Sequence, residues 1–229
     1  MKLTPKVKLI PSHEQFAAHK HTMETANATS NAISTRAWEA KEFHQYDIHR
    51  LMYYETRSTF SLSAEMTVRA IAKVAHAYKL DQKIQRTFRS YGSIAYDDRI
   101  LRWYVDKSIV SIWTMNGRER IPFVCGERQR ALLASQQGES DLIYHRGEFY
   151  LAAICDIEEP SPQETDDALG VDFGIVNIAV DSDGEVHAAN HVNNARYRHR
   201  RLRAKLEKKR TKSARQRLKQ LSGKEARFA

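Results

Sequence analysis

Two prolines and five carboxylates fall between Glu158 and Asp167, and neither helical nor alternating apolar periodicity runs through them. Such a stretch reads as a linker, spanning 159–167, and it partitions the 229 residues into a larger piece and a smaller one. Charge is divided unequally as well. Arg196 to Ala229 holds 15 basic residues against Glu207 and Glu225, whereas the first 195 residues sum to −4. The formal +9 therefore describes a slightly acidic body with a basic C-terminal segment.

With 41% hydrophobic and 28% charged residues, the composition is that of a folded, water-soluble chain rather than a disordered one. No apolar run approaches the roughly 20 residues a bilayer crossing needs, so no membrane partner is expected. Met1-Lys2-Leu3-Thr4-Pro5-Lys6 lacks a signal core, and Cys125 and Cys155 form no Cys-x-x-Cys pair. A reduced, cytoplasmic setting and no zinc site within this chain are the expectations.

From Ser12 to about Ser90 apolar residues recur at helical spacing, so 12–90 reads as a helical region. Its clearest helix starts at Ser63, an N-cap followed by Glu65, and carries Val68, Ile71, Ala75 and Tyr78 on one stripe. Asn27 and Asn31 lie one turn apart. They mark either a solvated polar face or one that meets RNA or a protein partner.

Near Tyr91-Gly92 the pattern becomes β. Ile109 to Met115 and Arg118 to Val124 flank Asn116-Gly117, a hairpin signal, and Asp141 to His145 and Glu148 to Ile154 flank Arg146-Gly147. With Ser93 to Tyr96 and Ile100 to Val105, these strands predict a small antiparallel barrel or sandwich over 91–158, with Met1 to Ile10 as an edge strand. Tyr91, Tyr96, Trp103, Tyr104, Trp113, Tyr144, Phe149 and Tyr150 are expected mostly in its core, a minority stacking on unpaired bases. His13, His19, His21, His187 and His191 lack partner cysteines and are read as surface or base-contacting residues.

After the linker, Gly170-Val171-Asp172-Phe173-Gly174 reads either as a strand-end turn holding Asp172 between glycines or as an apolar strand that buries one carboxylate, where the charge needs a compensating cation. A strand, a turn at Asp181 to Gly184 and a return strand from Glu185 follow, and from about Asn194 to Gly223 the pattern is helical and basic. The fold class is α+β.

The chain resembles the TnpB (OrfB) proteins of insertion sequences, RNA-guided nucleases associated with transposition. The resemblance rests on Tyr96-Asp97-Asp98-Arg99, on Ser111-Ile112-Trp113-Thr114 with Ile121 to Gly126, on Gly170 to Asn177, and on Thr211 to Arg215 with Leu221 to Phe228. It implies a helical recognition region at 12–90 inserted in a wedge-like β-barrel formed by 1–11 and 91–158. The start of a RuvC (RNase H-like) domain with basic helices would occupy 168–229. It implies guide RNA and target DNA as partners, a prokaryotic cytosol, and Asp172 as catalytic residue and metal ligand. Such chemistry uses two magnesium ions, so further acidic ligands are needed beyond Asp172. The family's second catalytic strand and four-cysteine module have no counterpart here, and Asp181 and Asp183 read as turn residues. The expectation is an amino-terminal portion that binds guide RNA or DNA without completing the metal site; a non-catalytic RNA- or DNA-binding remnant is the alternative. Oligomeric state is left open.

The nucleic-acid contacts are assigned to Arg196, Arg198, Arg200, Arg201, Arg203, Lys205, Lys208, Lys209, Arg210, Lys212, Arg215 and Arg217. Leu202, Leu206, Leu218 and Leu221 provide one narrow packing stripe among them, and every phosphate neutralised makes binding more sensitive to salt.

Overall fold

A computed structural model describes residues 1–159, 161 and 168–228, so most of the expected linker lies outside the described residues. The chain forms two compact units, residues 1–160 and 161–229.

In the first unit the elements run β1 (Lys2–Leu3), β2 (Lys6–Leu9), α1 (His13–Ala40), α2 (Gln45–Phe60), α3 (Ala64–Leu80), β3 (Ile94–Tyr96) and β4 (Leu101–Tyr104). They continue as β5 (Ile109–Thr114), β6 (Gly117–Val124), α4 (Glu127–Leu133), β7 (Gln136–His145) and β8 (Glu148–Asp156). The strands make one antiparallel sheet in the order β3-β7-β8-β2-β6-β5-β4, with β1 beside β8. This sheet is a nearly closed barrel. Trp103 Nε1 on β4 donates to Ser140 Oγ on β7 at 3.2 Å, across the opening between the two ends.

The N-terminal segment is not an edge strand. Val7 and Leu9 are 1% and 2% exposed, and β2 pairs Val7 with Leu151 on one side and Leu9 with Phe123 on the other. Its two inward side chains fill the barrel core, so burial holds it between two neighbours. Of the two hairpins, Arg146-Gly147 forms its turn with φ of 54° and 87°, as a two-residue primed turn requires. The other differs by one residue: Thr114 pairs with Gly117, so Met115 and Asn116 make the loop and Gly117 takes φ +106° as the first residue of β6. Helix α4, absent from the sequence reading, separates β6 from β7.

The helices cap the barrel and add a second core. Ser12 opens α1 with a capping box to Gln15, and Ser63 Oγ accepts from Met66 N at 3.2 Å to open α3. The buried side of α3 is Met66, Ala70, Ile71, Val74, Ala75 and Tyr78, with Val68 half-buried at its margin. Met23 and Met66 join the barrel cluster of Tyr96, Ile112, Leu142 and Phe149, while Ile33, Ile48, Ile71, Val74 and Tyr78 form the interhelical cluster.

In the second unit β9 (Val171–Asp172), β10 (Asn177–Asp181) and β11 (Val186–Ala188) form a sheet in the order β11-β10-β9. Helices α5 (Asn190–Lys209) and α6 (Lys212–Phe228) follow, joined at Arg210, whose φ is +50°. Leu206, Ala214 and Leu221 are buried, while Leu202 is 37% exposed. Helix α6 runs through Gly223, beyond the expected end. Phe173, Ile175 and Val176 are 77%, 91% and 77% exposed.

Candidate nucleic-acid interface

Of the twelve assigned cations on α5, α6 and their joint, eleven are exposed and Arg203 is half-buried, donating to Ser222 Oγ at 3.4 Å. The eleven exposed ones make no ion pair among the described residues. This follows from sequence: with few carboxylates along both helices, side chains off the narrow leucine-alanine seam have only water to meet.

The barrel adds a surface that sequence reasoning did not single out. Arg102 on β4, Ser111 on β5 and Arg120 on β6 are directly opposite one another across three strands, and Arg118 stands beside Trp113 in the next row. Cross-strand neighbours in register share a face, so these side chains line one outer face. With Arg99 and Tyr104 they border a groove of about 800 Å³. The signal was in the sequence as Arg118 and Arg120 at alternating strand positions, but only pairing with β4 and β5 gathers the third arginine.

Arg99 is held from behind. Asp97, 7% exposed, accepts from Arg99 Nη2 at 2.8 Å and from Arg69 Nη2 at 3.1 Å; Glu65 at the start of α3 accepts from the same two residues at 2.9 and 3.2 Å. Burial pushes the Glu65 carboxyl up, and the neighbouring Asp97 adds to this. Burial also pushes Asp97 up, but its hydrogen bonds with Glu65 and Arg99 and the charges of both arginines outweigh that and hold it below its ordinary value. The Tyr96-Asp97-Asp98-Arg99 string thus joins the helical layer to the rim of the groove.

Several expectations are corrected. Asn27 and Asn31 are neither solvated nor open to a partner: Asn27 is fully buried, and Asn31 donates to Phe88 O at 2.9 Å and accepts from Phe88 N at 2.7 Å. The backbone of 84–92 has no strand partner there, and the two amides supply one. His19 is not a surface residue; it is fully buried, its Nδ1 at 2.8 Å from Gln15 O and its ring against Phe149. The eight aromatics do lie mostly at the core: Tyr96 and Phe149 are fully buried in it and Tyr91, Trp103, Trp113 and Tyr144 pack half-buried against it, while Tyr104 is 36% exposed and Tyr150 half-buried outside that cluster. Strand alternation turns Tyr104 away beside Trp103 and Tyr150 away beside Phe149.

Asp172 is exposed, not enclosed in an apolar strand. β9 is two residues long and pairs with β10 alone among the described residues, and the neighbours of Asp172, Val171 and Phe173, are exposed. Asp172 pairs with Val180, and Val180 with Val186. Asp181 and His187 alternate onto the opposite face, where their ligand atoms and that of Glu185 lie within 4.8 Å of one another. Asp181 ends β10 rather than lying in the turn, and its Oδ1 accepts from the backbone of Asp183 and Glu185 at 3.1 and 2.8 Å, holding the turn that follows. Among the described residues, Asp172 alone therefore does not fit a two-magnesium centre.

No helix among the described residues is long and apolar enough to cross a membrane. No protein-family model and no curated protein matches the chain. Among solved structures, it is similar to a CRISPR-Cas12f ternary complex, with 12% identity over 91% of this chain and 57% of that one, at a TM-score of 0.42. It is also similar to a Cas12f1-sgRNA-target DNA complex, with 12% identity over 100% of this chain and 66% of that one, at a TM-score of 0.34. The chain thus spans 57% and 66% of the length of these two solved chains.

Proposed function

We propose that the chain is the nucleic-acid-binding part of a TnpB-like, transposon-encoded, RNA-guided DNA endonuclease, holding guide RNA and target DNA. In this reading Asp172 contributes one ligand to a RuvC-type magnesium centre whose other ligands lie outside these 229 residues. The observation that carries it is the exposed surface of α5 and α6, where eleven of the twelve assigned cations stand exposed and acids are few, a charge density suited to a phosphodiester backbone. The arginine-lined groove on β4, β5 and β6 supports it, and the family in this reading rests on the resemblance of the four motif strings.

The test has two parts. Affinity of the nucleic-acid-free protein for structured RNA and for duplex DNA is measured against salt, with and without Arg196 to Ala229. Loss of most of the salt-dependent affinity is expected on truncation; an unaltered slope refutes the assignment of these helices. In an assembly carrying the further acidic ligands, Asp172→Ala should abolish magnesium-dependent DNA cleavage, and unchanged cleavage removes Asp172 from the centre. A second reading, binding without cleavage, is favoured by the separation of Asp172 from Asp181 and Glu185 onto opposite faces. It predicts that no such assembly cleaves.

A further inference from the structure

Strand alternation gives the outer face of β4, β5 and β6 a second row of side chains beside its arginines. Arg102, Ser111 and Arg120 stand level with one another, and one row further along the strands Tyr104, Ile109 and Pro122 do the same. Tyr104 and Arg120 border the groove and also line a smaller hollow of about 80 Å³ with Ile109 and Lys107, so the two depressions adjoin. The first row is built to hold an anion. Arg102 and Arg120 are exposed and meet no carboxylate within ion-pair distance among the described residues. Between them Ser111 is 4% exposed, and its Oγ accepts from Arg118 Nη1 at 3.4 Å, which turns a third guanidinium toward the same spot. Neighbouring strands lie about 4.8 Å apart, so two unengaged arginines roughly 10 Å apart at the backbone flank one hydroxyl. Their long side chains can close on a single phosphate.

The face offers no continuous track of cations. Arg99, at one end, is already matched by Asp97 and Glu65, the carboxylate of Asp98 borders the groove beside it, and the row on the other side is apolar. A duplex laid across it would set phosphates against Asp98 or the apolar row, and its bases, already stacked on one another, would leave Tyr104 in water. An unpaired nucleotide suits both rows at once. Two residues along a strand span about 7 Å, a step that a nucleotide covers from its phosphate to its own base, and any base has a face to lay on a ring. We propose that the outer face of β4, β5 and β6 holds one unpaired nucleotide, its phosphate between Arg102 and Arg120 over Ser111 and its base against Tyr104 and Ile109. The proposal rests on the reading that this groove meets phosphates, and it adds the base and the unpaired state. The nucleotide has two sources, a free nucleoside phosphate or an unpaired residue within a strand.

The test uses the full chain freed of nucleic acid and two probes, a single-stranded RNA carrying 2-aminopurine, whose fluorescence is quenched on stacking, and a blunt RNA duplex. Tyr104→Ala and Tyr104→Leu should each lower affinity for the single strand by roughly tenfold. The salt slope should stay as in the parent, because stacking releases no counterions, and duplex affinity should not change. Tyr104→Phe should bind and quench as the parent does. Unchanged thermal unfolding of the leucine variant, which keeps an apolar side chain on β4, controls for folding. Equal effects on single strand and duplex, or none on either, overturn the proposal. The double variant Arg102→Ala/Arg120→Ala separates the two readings: a lowered salt slope with indifference to Tyr104 keeps the phosphate groove and removes the base site, whereas an unaltered slope removes both. Adenosine monophosphate and ribose 5-phosphate distinguish the sources. Tyr104-dependent binding of the first but not the second supports a free nucleotide, and Tyr104-dependent binding of the strand alone supports an unpaired residue within it.

Discussion

Lys73 Nζ on α3 donates to the buried Oδ1 of Asn27 on α1 at 2.6 Å, and to Ser93 O at 2.7 Å. The amide nitrogen of Asn27 in turn lies 3.1 Å from Ser90 O and 2.9 Å from Gly92 O. One side chain thus ties both long helices to the chain as it enters β3. Asn27→Ala removes these bonds from the half-buried Gly92 and Lys73 and from Ser90, leaves Lys73 with Ser93 O, and should destabilise the first unit by about 1 to 3 kcal/mol in a denaturant titration. A change below the error of that titration would show the amide to be dispensable.

Burial lowers the Lys73 ammonium to about 8, with Asp141 opposing the shift. Between about pH 8 and the ordinary value of 10.5 the unfolded chain holds a proton that the folded chain has released. Stability therefore rises with pH across that window, and the cost of the buried charge is fully present below it. Lys73→Met should flatten the stability profile over this range, whatever its effect at neutral pH; a profile of unchanged slope would assign the titration to another group.

Tyr96 is fully buried and its hydroxyl has no hydrogen-bond partner among the described residues, as is true of Thr56 Oγ1. Burial pushes the Tyr96 phenol well above its ordinary range. Removing an unsatisfied polar atom while keeping the shape recovers its desolvation cost, so Tyr96→Phe should leave stability unchanged or raise it by about 1 kcal/mol. The melting temperature reads this directly. A clear drop would mean that a partner for the hydroxyl exists in solution.

Arg102 and Arg120 flank Ser111 on the outer barrel face. If both meet phosphates, Arg102→Ala/Arg120→Ala should lower the magnitude of the slope of log affinity against log salt by about 1.5 to 2. Both side chains are exposed, so folding should be unaffected. A salt slope equal to the parent's would confine nucleic-acid contact to α5 and α6.

The order of elements was legible from periodicity and turn chemistry, which are local: Ser63 opening α3, the Arg146-Gly147 turn, and the strand-turn-strand after Asp172 needed only neighbours in sequence. The basic character of α5 and α6 was equally legible, because a surface with few acids stays exposed in almost any packing. What depended on partners distant in sequence was decided by the tertiary structure. β2 entered the sheet interior because Leu151 and Phe123 stand on either side of it, and the amides of Asn27 and Asn31 found the backbone of 88–92. Arg102 joined Arg118 and Arg120 only once strands paired. Sequence likewise placed Asp172 on a strand, but its exposure and its separation from Asp181 and Glu185 follow from register, because alternation on paired strands decides which carboxylates can share one ion.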